Sequence, residues 1–136
     1  LSDAFTDLVL VSLMKGRKTP IKSALLDQRL IAGLGNIYVS EALFRAGISP
    51  RRKAGTIAGR RARRLTKAIK VVLREAINAG GTSLRDHIQP GGEIGYFVQD
   101  LRVYGQAGQP CVDCGQGIKQ IIQSGRSSFY CSSCQR

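Results

Sequence analysis

Residues 33–50 read GLGNIYVSEALFRAGISP. Two glycines and an asparagine open the stretch, and its second half carries a helical pattern. Gly33 and Gly35 break the periodicity before them, and Asn36 is a favoured N-cap type. From Ile37 a helix is expected, with Val39, Leu43 and Ala46 on one face and Glu41 with Arg45 outside as an i, i+4 pair. Gly47 is placed for the left-handed C-cap, Ile48 to fold back on Leu43, and Pro50 to prevent continuation. The stretch therefore reads as a tight glycine turn that starts a well-capped helix.

Helices are expected on both sides. Upstream, Ser2 or Asp3 caps a helix over 4–15, with Phe5, Leu8, Val9, Ser12 and Leu13 at i, i+3, i+4 spacing. After a basic turn at 16–20, a short helix spans 21 to about 30, with Ile21, Leu25 and Leu26 inward. Downstream, 56–79 is the longest helix, with a stripe of Ala58, Ala62, Leu65, Ile69, Val72, Leu73 and Ala76. Residues 82–94 are polar and loop-like, and long ordered loops tend to be functional. Phe97, Val98, Leu101, Val103 and Tyr104 suggest extended chain. Cys111 to Cys134 holds strand-type residues around a turn at Ser124-Gly125.

The charge balance narrows the function classes. The 136 residues contain 21 Lys and Arg against 9 Asp and Glu, a formal net charge of +12. A domain so basic usually meets a polyanion, nucleic acid first and an anionic membrane surface second. No apolar run is long enough to span a bilayer and no signal peptide is evident, so the expectation is a soluble intracellular protein. Residues 51–74 hold ten positive charges and no negative one. They spread over several helix faces, which reads as a solvated surface adding general attraction.

Four cysteines carry the most specific signal. Cys111-x2-Cys114 and Cys131-x2-Cys134 account for every cysteine in the chain. Two such knuckles bring four thiolates to a tetrahedron, the preference of structural zinc. So short a segment buries too little apolar surface to fold without a staple. Two disulfides are the alternative, disfavoured in a reducing compartment. One zinc on four thiolates lowers the effective charge to +10 by formal count. All four sulfurs are used, so the site is closed and structural.

Two further features suit an anion. Free N–H groups at the start of a helix after Gly-x-Gly favour phosphate, although the same turn serves as a plain cap. Between the knuckles, Gln123-Ser-Gly-Arg-Ser-Ser-Phe-Tyr130 puts Arg126 at a hairpin tip, shaped to enter a groove or hold a phosphate, or simply exposed.

Taken together, 33–50, Val103-Tyr-Gly105 and the four-cysteine segment with Gly125-Arg-Ser-Ser-Phe-Tyr-Cys131 closely resemble the C-terminal half of the bacterial formamidopyrimidine-DNA glycosylase family. The related endonuclease VIII family shares the helix–two-turn–helix and the zinc finger, but the 80–97 loop fits the formamidopyrimidine branch better. The resemblance implies a mainly α fold with a small β part. A helical helix–two-turn–helix domain spans 1–97, with a lesion-loop segment at about 80–97, and a zinc β-hairpin spans 98–136.

It also implies a bacterial cytoplasmic, nucleoid-associated monomer that excises oxidised purines from duplex DNA and cuts the strand at the abasic site, with the damaged nucleotide swung out of the stack. Asn36 and Arg126 match the family's phosphate-gripping asparagine and arginine; Gly35, Lys22 and Tyr104 match supporting backbone-contact positions. Thr82, Leu84, Arg85, Asp86 and His87 fall in the loop that closes over the everted base.

The departure concerns catalysis. The family's nucleophile is an N-terminal proline, a secondary amine that forms a Schiff base. Residue 1 is Leu, and Pro20, Pro50, Pro90 and Pro110 are internal tertiary amides. The resemblance therefore implies a piece without the N-terminal catalytic domain and with no catalytic residue of its own. A non-enzymatic module, for instance ribosome-associated, and a zinc-stapled protein-interaction domain are the competing readings.

Overall fold

The computed structural model describes residues 3–31, 34–80 and 101–136. Within these the order is α1 (Asp7–Met14), α2 (Ile21–Leu26), α3 (Asn36–Ala46), a 3-10 turn (Ala54–Thr56), α4 (Gly59–Gly80), and strands β1 (Lys119–Gln123) and β2 (Arg126–Tyr130). No helix among the described residues is long and apolar enough to cross a membrane. The fold is mainly helical with one antiparallel hairpin, as the sequence suggests.

α1 is shorter than its pattern. Thr6, not Ser2 or Asp3, is the N-cap, its Oγ1 accepting the Val9 N–H at 3.3 Å. The expected inward set is also displaced. Leu10 and Met14 are buried, whereas Leu8 is 75% exposed. DLVLVSLM is apolar nearly all round, so periodicity selects no face; packing on α4 does. α2 stops at Leu26 rather than about residue 30. The Asp27 carboxylate accepts the Arg29 N–H at 3.0 Å and diverts the chain into a turn.

α3 is the central wall. Val39, Leu43 and Ala46 join the main core with Leu10, Leu25 and Leu65, while Phe44 joins a second core with Val103, Ile118 and Phe129. The helix is covered on nearly every side, and this overturns the expected outside pair. Glu41 is fully buried, and its carboxylate accepts three successive backbone N–H groups, from Arg102, Val103 and Tyr104 at 2.8, 3.0 and 2.9 Å. Arg45 donates instead to Glu75 at 2.8 Å. The same carboxylate explains why 101–104 is not a strand: its N–H groups gather on one side chain instead of a neighbouring strand.

The C-terminal cap of α3 forms as read. Gly47 lies at φ 72°, the Ile48 N–H reaches the Leu43 carbonyl at 3.0 Å, and Ile48 is fully buried. α4 begins at Gly59 rather than Thr56, because 54–56 closes as a 3-10 turn. Ala58 is consequently exposed, while Ala62, Leu65, Ile69, Val72 and Ala76 are buried as a stripe. In the hairpin, Ser124 and Gly125 take φ 52° and 80°, the pair of positive angles that a two-residue type I′ turn requires. Gln123 then faces Arg126.

Candidate nucleic-acid interface and metal centre

The start of α3, the start of α2 and the hairpin tip meet at one backbone carbonyl. Ser127 O accepts from Asn36 Nδ2 at 3.0 Å and from Lys22 Nζ at 2.9 Å. Lys22 also donates to Ser128 Oγ at 2.5 Å, which in turn donates to Gln123 Oε1 at 2.6 Å. Gln123 Nε2 reaches the Pro50 carbonyl at 3.2 Å. Four segments far apart in sequence are thus pinned around the hairpin turn.

Asn36 is not the N-cap. Gly35 occupies that position without a side-chain bond, and Asn36 is the first helical residue. Its amide carries two N–H groups, of which Ser127 takes one; the Lys22 ammonium carries three, of which two are taken. Each keeps a donor to spare. Gly35 has φ −102°, and a Cβ there would meet only Tyr38 Cδ2, at 3.8 Å. Nothing among the described residues requires glycine at this position, so the small residue leaves room for a group that approaches it closely.

Arg126 opens β2 and is exposed. With Lys22, Ser23, Asp27, Gln123 and Ser124 it lines a cleft of about 190 Å³. Lys22 is 1% exposed. Burial, helped by the neighbouring Arg126 guanidinium, brings its pKa from 10.5 down to about 8. Asp27, the acid in this cleft, is held by Arg29 at 2.9 Å.

Of the sequence-derived positions, Lys22, Gly35, Asn36 and Arg126 come together. Tyr104 does not join their hydrogen bonds; its ring packs edge-on against Phe129 at 4.9 Å. Thr82, Leu84, Arg85, Asp86 and His87 lie outside the described residues. Ser127, Ser128 and Gln123 escaped the sequence reading. A carbonyl that organises a site leaves no signature in residue type.

At the other end of the hairpin the four cysteine sulfurs lie within 4.8 Å of one another. Cys111 to Cys134 is 3.9 Å and Cys114 to Cys131 is 3.5 Å. A disulfide needs about 2.05 Å, and all four cysteines are free. A tetrahedron with Zn–S bonds of about 2.3 Å places its sulfurs roughly 3.8 Å apart, so the cluster fits that ion. The Asp113 N–H points at Cys111 Sγ at 3.4 Å, a backbone donor for a thiolate. The backbone of Gln116 holds the exposed Cys114 thiol down, to about 7, while burial pushes Cys134 up to about 12.

The second knuckle seats on the cap of α3. Gln135 Oε1 accepts the Cys131 N–H at 2.8 Å, its Nε2 donates to the Ile48 carbonyl at 2.9 Å, and the Arg136 N–H donates to the Gly47 carbonyl at 2.9 Å. One helix therefore carries Asn36 at its start and the metal knuckle at its end.

Comparison with known proteins agrees with this architecture. The profile of the formamidopyrimidine-DNA glycosylase H2TH domain matches residues 1–87, and that of the zinc finger found in FPG and IleRS matches 108–136. Formamidopyrimidine-DNA glycosylases from Acidiphilium cryptum and Ruegeria pomeroyi are 57% and 58% identical, over the whole of this chain and 51% and 49% of theirs. The chain spans about half the length of these curated relatives.

Among solved structures, the MutM (Fpg) protein of Thermus thermophilus superimposes with a TM-score of 0.84 at 42% identity, over 99% of this chain and 52% of that one. Lactococcus lactis Fpg in complex with DNA containing an abasic site gives 0.84 at 32% identity, over 97% and 48%. The four-cysteine cluster, Cys111, Cys114, Cys131 and Cys134, is the site of one structural zinc. With the glycine turn, the capped helix and this finger in one arrangement, the chain belongs to the formamidopyrimidine-DNA glycosylase family.

Proposed function

We propose that these 136 residues are the DNA-binding portion of a base-excision repair DNA glycosylase/AP lyase that removes oxidised purines (8-oxoguanine and formamidopyrimidines) from duplex DNA. The observation that carries the reading is the convergence of Asn36 and Lys22 on the Ser127 carbonyl, beside the exposed Arg126. The Lys22 ammonium and the Arg126 guanidinium line a cleft of about 190 Å³, Asn36 shares the Ser127 carbonyl with Lys22 and keeps an N–H to spare, and the open Gly35 admits a close approach. Such donors grip backbone phosphate and set register without reading a base. Lactococcus lactis Fpg has been solved with DNA containing an abasic site, which supports duplex DNA as the partner here. Tyr104 serves indirectly in this reading, by packing the strand that carries Ser127. Recognition of the everted base is assigned in this reading to Thr82, Leu84, Arg85, Asp86 and His87.

The chemistry is not assigned to this segment. The four prolines are at 20, 50, 90 and 110, and their nitrogens are tertiary amides unable to form a Schiff base. The zinc, closed by four sulfurs, offers no open position for a substrate.

The decisive experiment is fluorescence anisotropy on a duplex containing an abasic-site analogue, with wild type, Arg126→Ala and Asn36→Ala across a salt series. Each variant should bind about tenfold more weakly, with a log-log salt slope shallower by roughly 0.9 for Arg126→Ala. Unchanged affinity in both variants overturns the clamp. Tighter binding to ribosomal RNA than to abasic-site DNA in competition favours a ribosome-associated module instead. Borohydride should trap no covalent complex with this segment.

A further inference from the structure

The first turns of α4 break a local rule. Arg60, Arg61, Arg63 and Arg64 stand at the positive end of a 22-residue helix with no acid in its first turn. They oppose one another at i, i+3 and i, i+4 spacing, which destabilises a helix. Among the described residues the only ion pairs are Arg29–Asp27 and Arg45–Glu75, so none of the four has an acidic partner there. All four are exposed, outside the helical core.

The structure also gathers them, where the sequence suggested a diffuse surface. The four line a groove of about 600 Å³ together with Arg136 and Cys134. Arg136 is held on both sides of its Cα, its N–H donating to the Gly47 carbonyl at 2.9 Å and its backbone oxygen accepting from Arg52 Nε at 2.7 Å. A second cleft of about 520 Å³ shares Arg136 and adds Arg51, Arg52 and Lys53. Among the described residues no acidic side chain lines either. The zinc–thiolate centre beside the groove is formally −2, against five guanidiniums, so most of the positive charge stands uncompensated.

We propose that this groove is a second seat for the phosphate backbone of duplex DNA, separate from the cleft at Ser127. Asn36 and Ala46 mark the two seats at opposite ends of α3, about 15 Å apart along its axis at 1.5 Å per residue. Guanidinium forks match phosphate oxygens in pairs. The apolar residues of the groove are no larger than Ala46 and Ala58, so nothing there inserts into a bilayer or pockets a peptide side chain.

The test uses the zinc-loaded chain. A variant with Arg60, Arg61, Arg63 and Arg64 all changed to Gln should bind duplex DNA at least tenfold more weakly at low salt, with a log-log salt slope shallower by roughly 3 to 4, at about 0.9 per lost contact. In parallel, phenylglyoxal modification of the wild type, read by mass spectrometry, should show duplex protecting the α4 arginines, which needs no variant to fold. Protection at a second equivalent of a one-turn duplex assigns the seat to a second duplex. Protection at the first equivalent of a three-turn duplex assigns it to a flanking arm of the same one. The seat falls if duplex leaves these arginines unprotected, or if phosphatidylglycerol vesicles or polyglutamate protect them better at equal salt. Arg126 is scored in the same maps, so failure of the Ser127 cleft and failure of this groove are read separately.

Discussion

Asn36 ties the start of α3 to the hairpin, and the proposed clamp gives the same side chain a phosphate to hold. Because Gly35 is the cap, Asn36→Asp removes no cap; it removes the donor to the Ser127 carbonyl and sets a carboxylate against that oxygen. A lost hydrogen bond of about 1 kcal/mol is partly offset by an acid in the first helical turn, worth about 0.5 kcal/mol. Urea unfolding should therefore shift little, while duplex affinity falls at least tenfold. Equal losses in both would make Asn36 purely structural.

Lys22 gives a pH signature of two opposite signs. Its folded pKa of about 8 lies below its ordinary 10.5, so between these values the unfolded chain binds more protons and Lys22 adds stability as pH rises. Over the same rise through 8 the Lys22 ammonium loses its charge, so in the proposed clamp DNA affinity should fall. Lys22→Met should flatten both trends, and a variant that keeps the affinity step would move its origin to another group. Glu41 belongs to folding alone. Glu41→Gln leaves at least one of the three N–H groups facing an amide donor at a fully buried side chain, and chemical denaturation should report a loss of about 3 kcal/mol.

At the scale of elements, legibility followed how local the cause was. The α3 cap at Gly47 and the Ser124-Gly125 turn were readable because positive φ leaves a residue signature. The start of α1 was not, since Ser2, Asp3 and Thr6 are all competent caps and only the chain path chooses. Thr6→Ala should cost about 1 kcal/mol in thermal or urea unfolding, and Asp3→Ala close to nothing. Glu41 and Arg45 were misread for a related reason. Their spacing is that of a surface pair, and nothing within the helix reports that it is walled in by α2, α4 and β2.

At the scale of the whole molecule, the proposed clamp predicts that zinc and DNA affinity are coupled through the hairpin, because β2 carries both Ser127 and the chain into Cys131. The finger has its own small core around Phe44, Val103 and Phe129, whereas the helical core holds Leu10, Leu43 and Leu65. Chelating the metal should leave most of the helical circular dichroism in place, release the Ser127 carbonyl from Lys22 and Asn36, and lower duplex affinity at least tenfold. Retained affinity in the metal-free chain would separate the finger from binding.

The residues alone determined the strongly basic charge, the four-sulfur metal site, the capped helix that follows Gly35, and the match to a family. Each of these follows from net charge, a fixed spacing or a backbone angle, and so lies within a few residues of sequence or in a total. Only the tertiary structure decided that Asn36 reaches a carbonyl 91 residues away rather than capping its own helix, that Glu41 is a buried acceptor, and that the α4 arginines share a groove with Arg136. These depend on which long-range partners close packing brings together, and no local periodicity encodes that.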